Sequence, residues 1–480
     1  MKKKYIKSIL VVVFLSSLFS CKKYLDVKPE DRVLEADAYS TQKKINSVLN
    51  GLYLNLANNS LYGSNLTLST VDILAQRYNV GSLHTLYNTG AYAYGSKPTI
   101  DVIDNIWTSA YTSILNINAF NDNLITYKGV LDAKTDSIYR GEAIGMRAML
   151  HFDMLRLFGP RYSTADSLNT SIPYYTEPST KIADLLPANK VMDLILADLA
   201  MAEGLLKNDP IIANGVMSTA TNDGTDFLRN RNYRFNYYAI KALQARVNLY
   251  RGNNSGAFKA AKVVLDNASK FPWVTITNAL NEKANPDRVF VTEMISGIQN
   301  SKLYDNYLNT FSPDLEDKNI LAPNPTRLAT VFESNVNDYR YNLNWVVPST
   351  GGKSYSVFLK YADVVDKTKP FRFTIPLVKI SEMYYIAAET ATNLTESFGY
   401  LNTVRNNRGL LNLAVTTTAT LNSELLKEYQ KEFYGEGQLF YYYKRRNILS
   451  IPNGAAGSGN LTLTTKILVL PLPISEIQYR

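Results

Sequence analysis

Side chains able to do covalent or metal chemistry are scarce in this 480-residue sequence, which holds two histidines and one cysteine. A hydrolase built on a nucleophile, a base and an orienting acid would have to use His84 or His151. His151 stands between Leu150 and Phe152 in a stretch of helical period, where an imidazole serves packing; His84, in an aromatic loop, reads as a surface or ligand-contact residue. There is no paired-histidine zinc motif, no phosphate loop and no dinucleotide glycine fingerprint, so neither a metal nor a cofactor is expected. Gly454, Gly457 and Gly459 sit among Ala, Ser and Asn and read as a flexible loop.

Carboxylates are the other source of chemistry. Glu424, Glu428, Glu432 and Glu436 recur every four residues and would line one helix face. A glycosidase needs two acids facing each other across a cleft, about 5 to 10 Å apart, one of them kept protonated by burial. Four acids stacked on one helix lack that opposition. They need cations instead, and Lys427, Lys431, Arg405, Arg408, Lys444 and Arg446 are the available partners. A salt-bridged helix contact is the expectation, and catalysis is not.

Tyrosine is abundant, 34 residues, with runs at Tyr87 to Tyr94, Tyr174-Tyr175, Tyr237-Tyr238 and Tyr441 to Tyr443. Aromatic faces pack against the C–H groups of sugar rings and against peptides, while amides and guanidinium groups bond hydroxyls. Rings on helices more often serve the core, so Tyr237, Tyr238 and Tyr441 to Tyr443 are assigned to packing. The candidate ligand-binding residues are those in loops: Arg77, Tyr78, His84, Tyr87, Tyr92 and Tyr94 in one segment, Tyr304, Tyr307 and Trp345 in another.

The lone cysteine has its own explanation. Met1-Lys2-Lys3-Lys4 supplies positive charge, Ile9 to Phe19 an apolar run too short to span a bilayer comfortably, and Leu18-Phe19-Ser20-Cys21 resembles a bacterial lipobox. Residues 1–20 therefore read as a lipoprotein signal peptide and Cys21 as the lipidation site, which would attach the chain to a membrane. Setting aside the four lysines of that leader lowers the formal charge from +9 to +5, a weak warrant for nucleic-acid binding.

Residues 21–40 read as a lipidated tether, and 41–480 as a single body. Within it helical period recurs in pairs of segments: 41–57, 101–125, 136–158, 188–207, 236–251, 255–268, 377–393 and 396–408. In the pair 236–268, Ala242, Ala245, Leu249 and Gly252 precede Ala257, Ala261 and Val264, so small residues fall where two helices must approach closely. The step from Gly252 to Ala257 matches the turn of a tetratricopeptide repeat. Long aperiodic segments separate the helices at 58–100, 208–235, 270–375 and 447–480; loops of this length are functional or carry small structures of their own. Ile467 to Pro473 reads as a strand confined to an edge or tail by its two prolines.

Several stretches together resemble the SusD/RagB family of surface lipoproteins. They are Cys21 with Leu25-Asp26 and Pro29; Gly141 to Ala148 running into Phe152 to Pro160; Val191 to Leu199; Tyr238 to Gly252; Leu377 to Glu389; Leu401 to Gly409; Glu428 to Lys444; and Pro471 to Ile477. Leu439 and Tyr442 stand where many relatives carry Arg and Asp, and one more residue than usual separates Arg405 from Arg408, which leaves the subfamily open. The resemblance implies a mostly α fold: a tetratricopeptide-like helical-repeat scaffold with long irregular insertions and minor β structure. The body would comprise N-terminal repeats over 41–269 and a C-terminal SusD/RagB-type region over 270–480.

It further implies a cell-surface, outer-membrane nutrient-binding lipoprotein, not an enzyme, that captures an oligosaccharide and delivers it to a SusC-like TonB-dependent outer-membrane transporter. Alternatives are a peptide or glycoconjugate ligand, a surface glycoside hydrolase, and a scaffold that binds only protein.

Overall fold

The computed structural model describes residues 35–219 and 226–480, and helices dominate them. The expected leader, Cys21 and the first part of the tether lie outside the described residues. The last tether residues are held on the body: Glu35–Ala38 is a helical turn, and Tyr39 stacks on Tyr127 with ring centroids 5.5 Å apart.

The main helices are α1 (Gln42–Leu56), α2 (Lys97–Thr126), α3 (Ala133–Phe158), α4 (Ala188–Leu205), α5 (Tyr237–Arg251), α6 (Asn254–Leu265), α7 (Ile380–Thr390), α8 (Leu394–Asn406), α9 (Thr418–Glu432) and α10 (Leu439–Arg446). From α2 to α8 each packs on the next, giving a stacked array of helical pairs. The pair α5/α6 is set by its sequence. Ala242, Ala245, Ala257 and Ala261 are completely buried at the contact. Gly252 ends α5 in the left-handed conformation, at φ 83°, and the Asn253 side chain caps α6 by accepting from Gly256 N.

Helix α3 is buried on nearly all sides, so its polar residues carry partners inward. Arg147 forks onto Asp198 at 2.7 and 2.8 Å, and Glu142 accepts from Tyr53 Oη at 2.7 Å. His151 is fully buried as a packing residue. Its Nε2 accepts from Tyr175 N, so its Nδ1 carries the proton and donates to the Arg147 carbonyl at 3.0 Å. Burial pushes it down to about 3.

Two expectations about elements are corrected. The helix expected over 377–393 begins at Ile380, because Thr374–Lys379 is a strand (β2) that pairs antiparallel with Met294–Gln299 (β1) and is buried throughout. The apolar run from Ile467 is not a strand. Turns carry it along the body, Leu468 and Leu470 are buried, and Leu470 N donates to the Leu157 carbonyl.

Candidate functional site

A large concavity lies between the C-terminal half of α1 and residues 226–234. Two cavities, of about 680 and 570 Å³, share Ser218, Asn230, Tyr233 and Pro370 and form one groove. Its first part is walled by Asn50 and Tyr53 of α1 with Phe227 and Arg234; its second by Asn214, Asn232, Lys270 and Thr292.

The run Arg229-Asn230-Arg231-Asn232-Tyr233-Arg234 builds the floor because one member is driven inward. Arg231 is fully buried. Its Nε and Nη2 donate to Asp209 at 2.9 and 2.7 Å, and its Nη1 meets Glu142 of α3. That anchor obliges its neighbours to face the groove. Asn230 takes the left-handed conformation at φ 49°, which an Asn tolerates better than most residues, and its N–H donates to the Met217 carbonyl. Tyr233 Oη donates to the Pro370 carbonyl at 3.0 Å, tying the floor to the turn before β2. Asn232 is 6% exposed, lines the second cavity, and its Oδ1 has no partner among the described residues. A buried acceptor left unpaired costs about 1–3 kcal/mol.

None of the nine residues expected to bind ligand lines this groove. Most are occupied elsewhere. The Arg77 guanidinium lies 3.9 Å over the Tyr434 ring and donates to the Gln430 and Tyr429 carbonyls, so it closes the C-terminal end of α9. Tyr78, Tyr307 and Trp345 are buried in an aromatic cluster with Phe311, Phe358 and Tyr434, Trp345 and Phe358 having centroids 4.6 Å apart. These rings belong to the main hydrophobic core, and Tyr304 and Tyr307, expected in a loop, stand on a short helix over Leu303–Thr310. His84 staples two insertions: its Nδ1 accepts from Leu86 N, so Nε2 donates to the Ile320 carbonyl. Tyr92 and Tyr94 donate to the carbonyls of Leu74 and Ile467. Tyr87, at 43%, and Tyr304, at 36%, keep an exposed ring. The signal missed in the sequence was the alternation of guanidinium and amide side chains over 229–234.

The glutamate row is a charge network. Glu428 meets Arg340 at 2.8 Å and Arg405 at 3.2 Å; Glu432 meets Arg408 at 2.8 Å, Lys379 at 2.9 Å and Arg340 at 3.1 Å. Glu436, past the end of α9, meets Lys379 at 2.7 Å and also Lys360. Burial alone would raise Glu432, but Arg408, Lys379 and Arg340 outweigh it and hold the carboxyl well below the usual range; Glu428 is lowered in the same way by Arg340, Lys431 and Arg405. Two expected partners go elsewhere: Lys444 donates to the Arg156 and Gly159 carbonyls at the end of α3, and Arg446 pairs with Glu389. Among the described residues no group of three or more His, Cys, Asp or Glu could hold a metal ion, and no helix is long and apolar enough to cross a membrane.

Residues 23–220 match a SusD-like family described as starch-binding and associating with the outer membrane. SusD-like protein P25 of Formosa agariphila is 26% identical over 210 residues, 41% of this chain and 37% of that protein. SusD-like protein P38 of the same organism is 23% identical over 256 residues, 50% of this chain and 41% of that protein. The chain thus matches less than half the length of these two relatives. Among solved structures, a SusD superfamily protein from Bacteroides thetaiotaomicron VPI-5482 has a TM-score of 0.71 at 21% identity, over 91% of this chain and 98% of that one. A SusD-like carbohydrate binding protein from Bacteroides vulgatus ATCC 8482 has a TM-score of 0.68 at 18% identity, over 91% and 96%. A SusD-like protein described as laminarin binding has 0.65 at 16%, over 91% and 97%. At these identities the structures speak for the fold.

Proposed function

We propose that the chain is a SusD/RagB-type protein that captures an oligosaccharide in the Asn230–Arg234 groove without turning it over, a reading supported by the match of residues 23–220 to a SusD-like family and by the fold. One observation carries this reading. The groove combines rings, from Tyr233 and Phe227, with amides, from Asn50, Asn214, Asn230 and Asn232, and with guanidinium groups, from Arg229 and Arg234. That is the chemistry a sugar needs: flat apolar faces for its C–H side and fixed donors and acceptors for its hydroxyls. A family described as starch-binding, and a structural neighbour described as laminarin binding, support a glycan over other ligands.

The inert part of the reading is supported by the glutamate row. Glu428 and Glu432, held below the usual carboxylate range by the cations around them, cannot supply the protonated partner that glycoside hydrolysis requires. The remaining steps extend from the family. Cys21 would carry the lipid that holds the protein at the outer membrane, and a SusC-like TonB-dependent transporter would receive the glycan.

Isothermal titration of the purified chain against a panel of starch, laminarin and other oligosaccharides, with peptides as controls, tests the binding. Saturable heat with at least one glycan, weakened by Tyr233→Ala, is the expected result. Binding of peptides alone would redirect the reading, and release of shortened sugars from the bound ligand would end its non-catalytic part. Fatty-acid labelling lost in Cys21→Ala, and co-purification of a transporter from membranes, test the last two steps.

A further inference from the structure

Arginine is distributed unevenly around the groove. Arg231, in its floor, has two carboxylates to itself. Three positions along, Arg234 has none: among the described residues no carboxylate pairs with it, and its one hydrogen bond to a side chain runs from Nη2 to Asn50 Oδ1 at 2.7 Å. Its guanidinium lies against two rings, 4.6 Å from Tyr53 and 4.7 Å from Phe227. Those rings orient the planar fork while leaving most of its N–H donors without a protein acceptor.

The rest of the lining carries the same sign. Among the described residues the other charged side chains of the lining are Arg229, Lys270 and Asp226, and that acid is already paired with Arg229 at 3.5 Å. Lys270 has no ion pair among the described residues. The groove therefore keeps an excess of positive charge at a place where water is partly excluded.

From this we propose that the groove is selective for an acidic oligosaccharide, one bearing a uronate carboxylate or a sulfate ester, with Arg234 as the residue that receives the anion and Lys270 as a second cation in the adjoining cavity. The inference rests on the reading that this groove binds glycan. A carboxylate or sulfate offers two coplanar acceptors at the spacing of the guanidinium fork, and a cation already oriented by two rings loses little freedom on binding it. A neutral sugar laid over Arg234 would strip water from the charge and return no charge to it. The positive groove would also draw an acidic polymer from a distance, more strongly at low salt.

The test is titration of the purified chain with tetragalacturonate, a sulfated galactan tetrasaccharide and maltotetraose, at low and at moderate salt. One of the two acidic probes is expected to bind about tenfold tighter than the neutral one, as one charge-assisted bidentate contact would give, and to weaken as salt rises. Which acidic probe wins separates uronate from sulfate ester. Arg234→Gln is expected to erase the preference, and Lys270→Glu, at a half-exposed position where folding is not in question, to reduce it. A neutral glycan that binds as tightly as both acidic ones, with neither substitution changing the ratio, would overturn the inference while leaving glycan capture intact. A folded chain that binds no sugar at all would overturn both.

Discussion

Arg408, two residues past the end of α8, and Glu432, the last residue of α9, share two hydrogen bonds, Nε to Oε2 at 3.0 Å and Nη2 to Oε1 at 2.8 Å, in a setting from which water is excluded. Arg408 reaches across to Glu293 as well, at 2.6 Å, so one guanidinium neutralises two carboxylates from segments far apart in the chain. Removing it would leave both acids buried and undercompensated. Arg408→Ala is expected to cost about 3–5 kcal/mol, read as a shift in the urea midpoint; a loss below about 1 kcal/mol would show that the network is a surface-like pairing.

His151 makes stability depend on pH with a definite sign. Its folded value is pushed from the ordinary 6.5 down to about 3 by burial, so below 6.5 the unfolded chain takes up a proton that the folded chain refuses. Its contribution is fully present above 6.5 and is lost as pH falls toward the folded value. Asp287, raised by burial to about 7, and Asp72, raised by burial to about 6, act in the opposite sense over part of this range, so the wild-type curve alone is uninformative. The difference between wild type and His151→Asn isolates the histidine. That difference is expected to shrink by about 1.4 kcal/mol for each pH unit between about 6 and 5, measured by denaturant unfolding.

The loop aromatics divide by burial into two kinds with different mutational signatures. Trp345, 7% exposed and packed on Phe358 and Tyr434, should lose about 3–5 kcal/mol on truncation to Ala. Tyr87, with its exposed ring, should lose no more than about 0.5 kcal/mol. Thermal melts of the two variants check this, and equal losses would contradict the assignment of Trp345 to the core.

Gly437 lies in the turn between α9 and α10 at φ +66°, and a Cβ there would overlap the Leu66 carbonyl oxygen. A side chain is excluded both by the backbone conformation and by a neighbouring backbone that has no rotamer to yield. Gly437→Ala should destabilise the chain by about 2 kcal/mol or more in the same unfolding measurement.

What the sequence could reveal follows the range of the forces involved. Helical period and small residues act within one or two turns, so α1 to α6 and the alanine contact of α5/α6 were legible, as was the mostly helical repeat architecture. The strand Thr374–Lys379 was hidden because a run buried on both faces has no alternation to distinguish it from a helix start. The need of the glutamate row for cations could be read from like-charge spacing. Four of its partners, Lys427, Lys431, Arg405 and Arg408, were legible as well, but Arg340, Lys379 and Lys360 were not, since they lie 50 to 90 or so residues away and meet it only through the tertiary fold. The groove was obscured for a similar reason: it depends on Arg231 finding Asp209 and Glu142, which turns an unremarkable polar loop into a floor.

The order in which that acidic row becomes available has a consequence for biogenesis. Arg340, Lys379 and Arg408 all precede residues 428–436, so a chain emerging from its N-terminus presents these three cations before the glutamates that complete their pairing, with only Asp338 beside Arg340 and Glu293 for Arg408 made earlier. Until the later glutamates arrive, a closed interior would hold Lys379 with no carboxylate and Arg340 and Arg408 with one each, which is costly. The packing of β2, α8 and α9 on one another is therefore expected to be complete only once residues 428–436 are present.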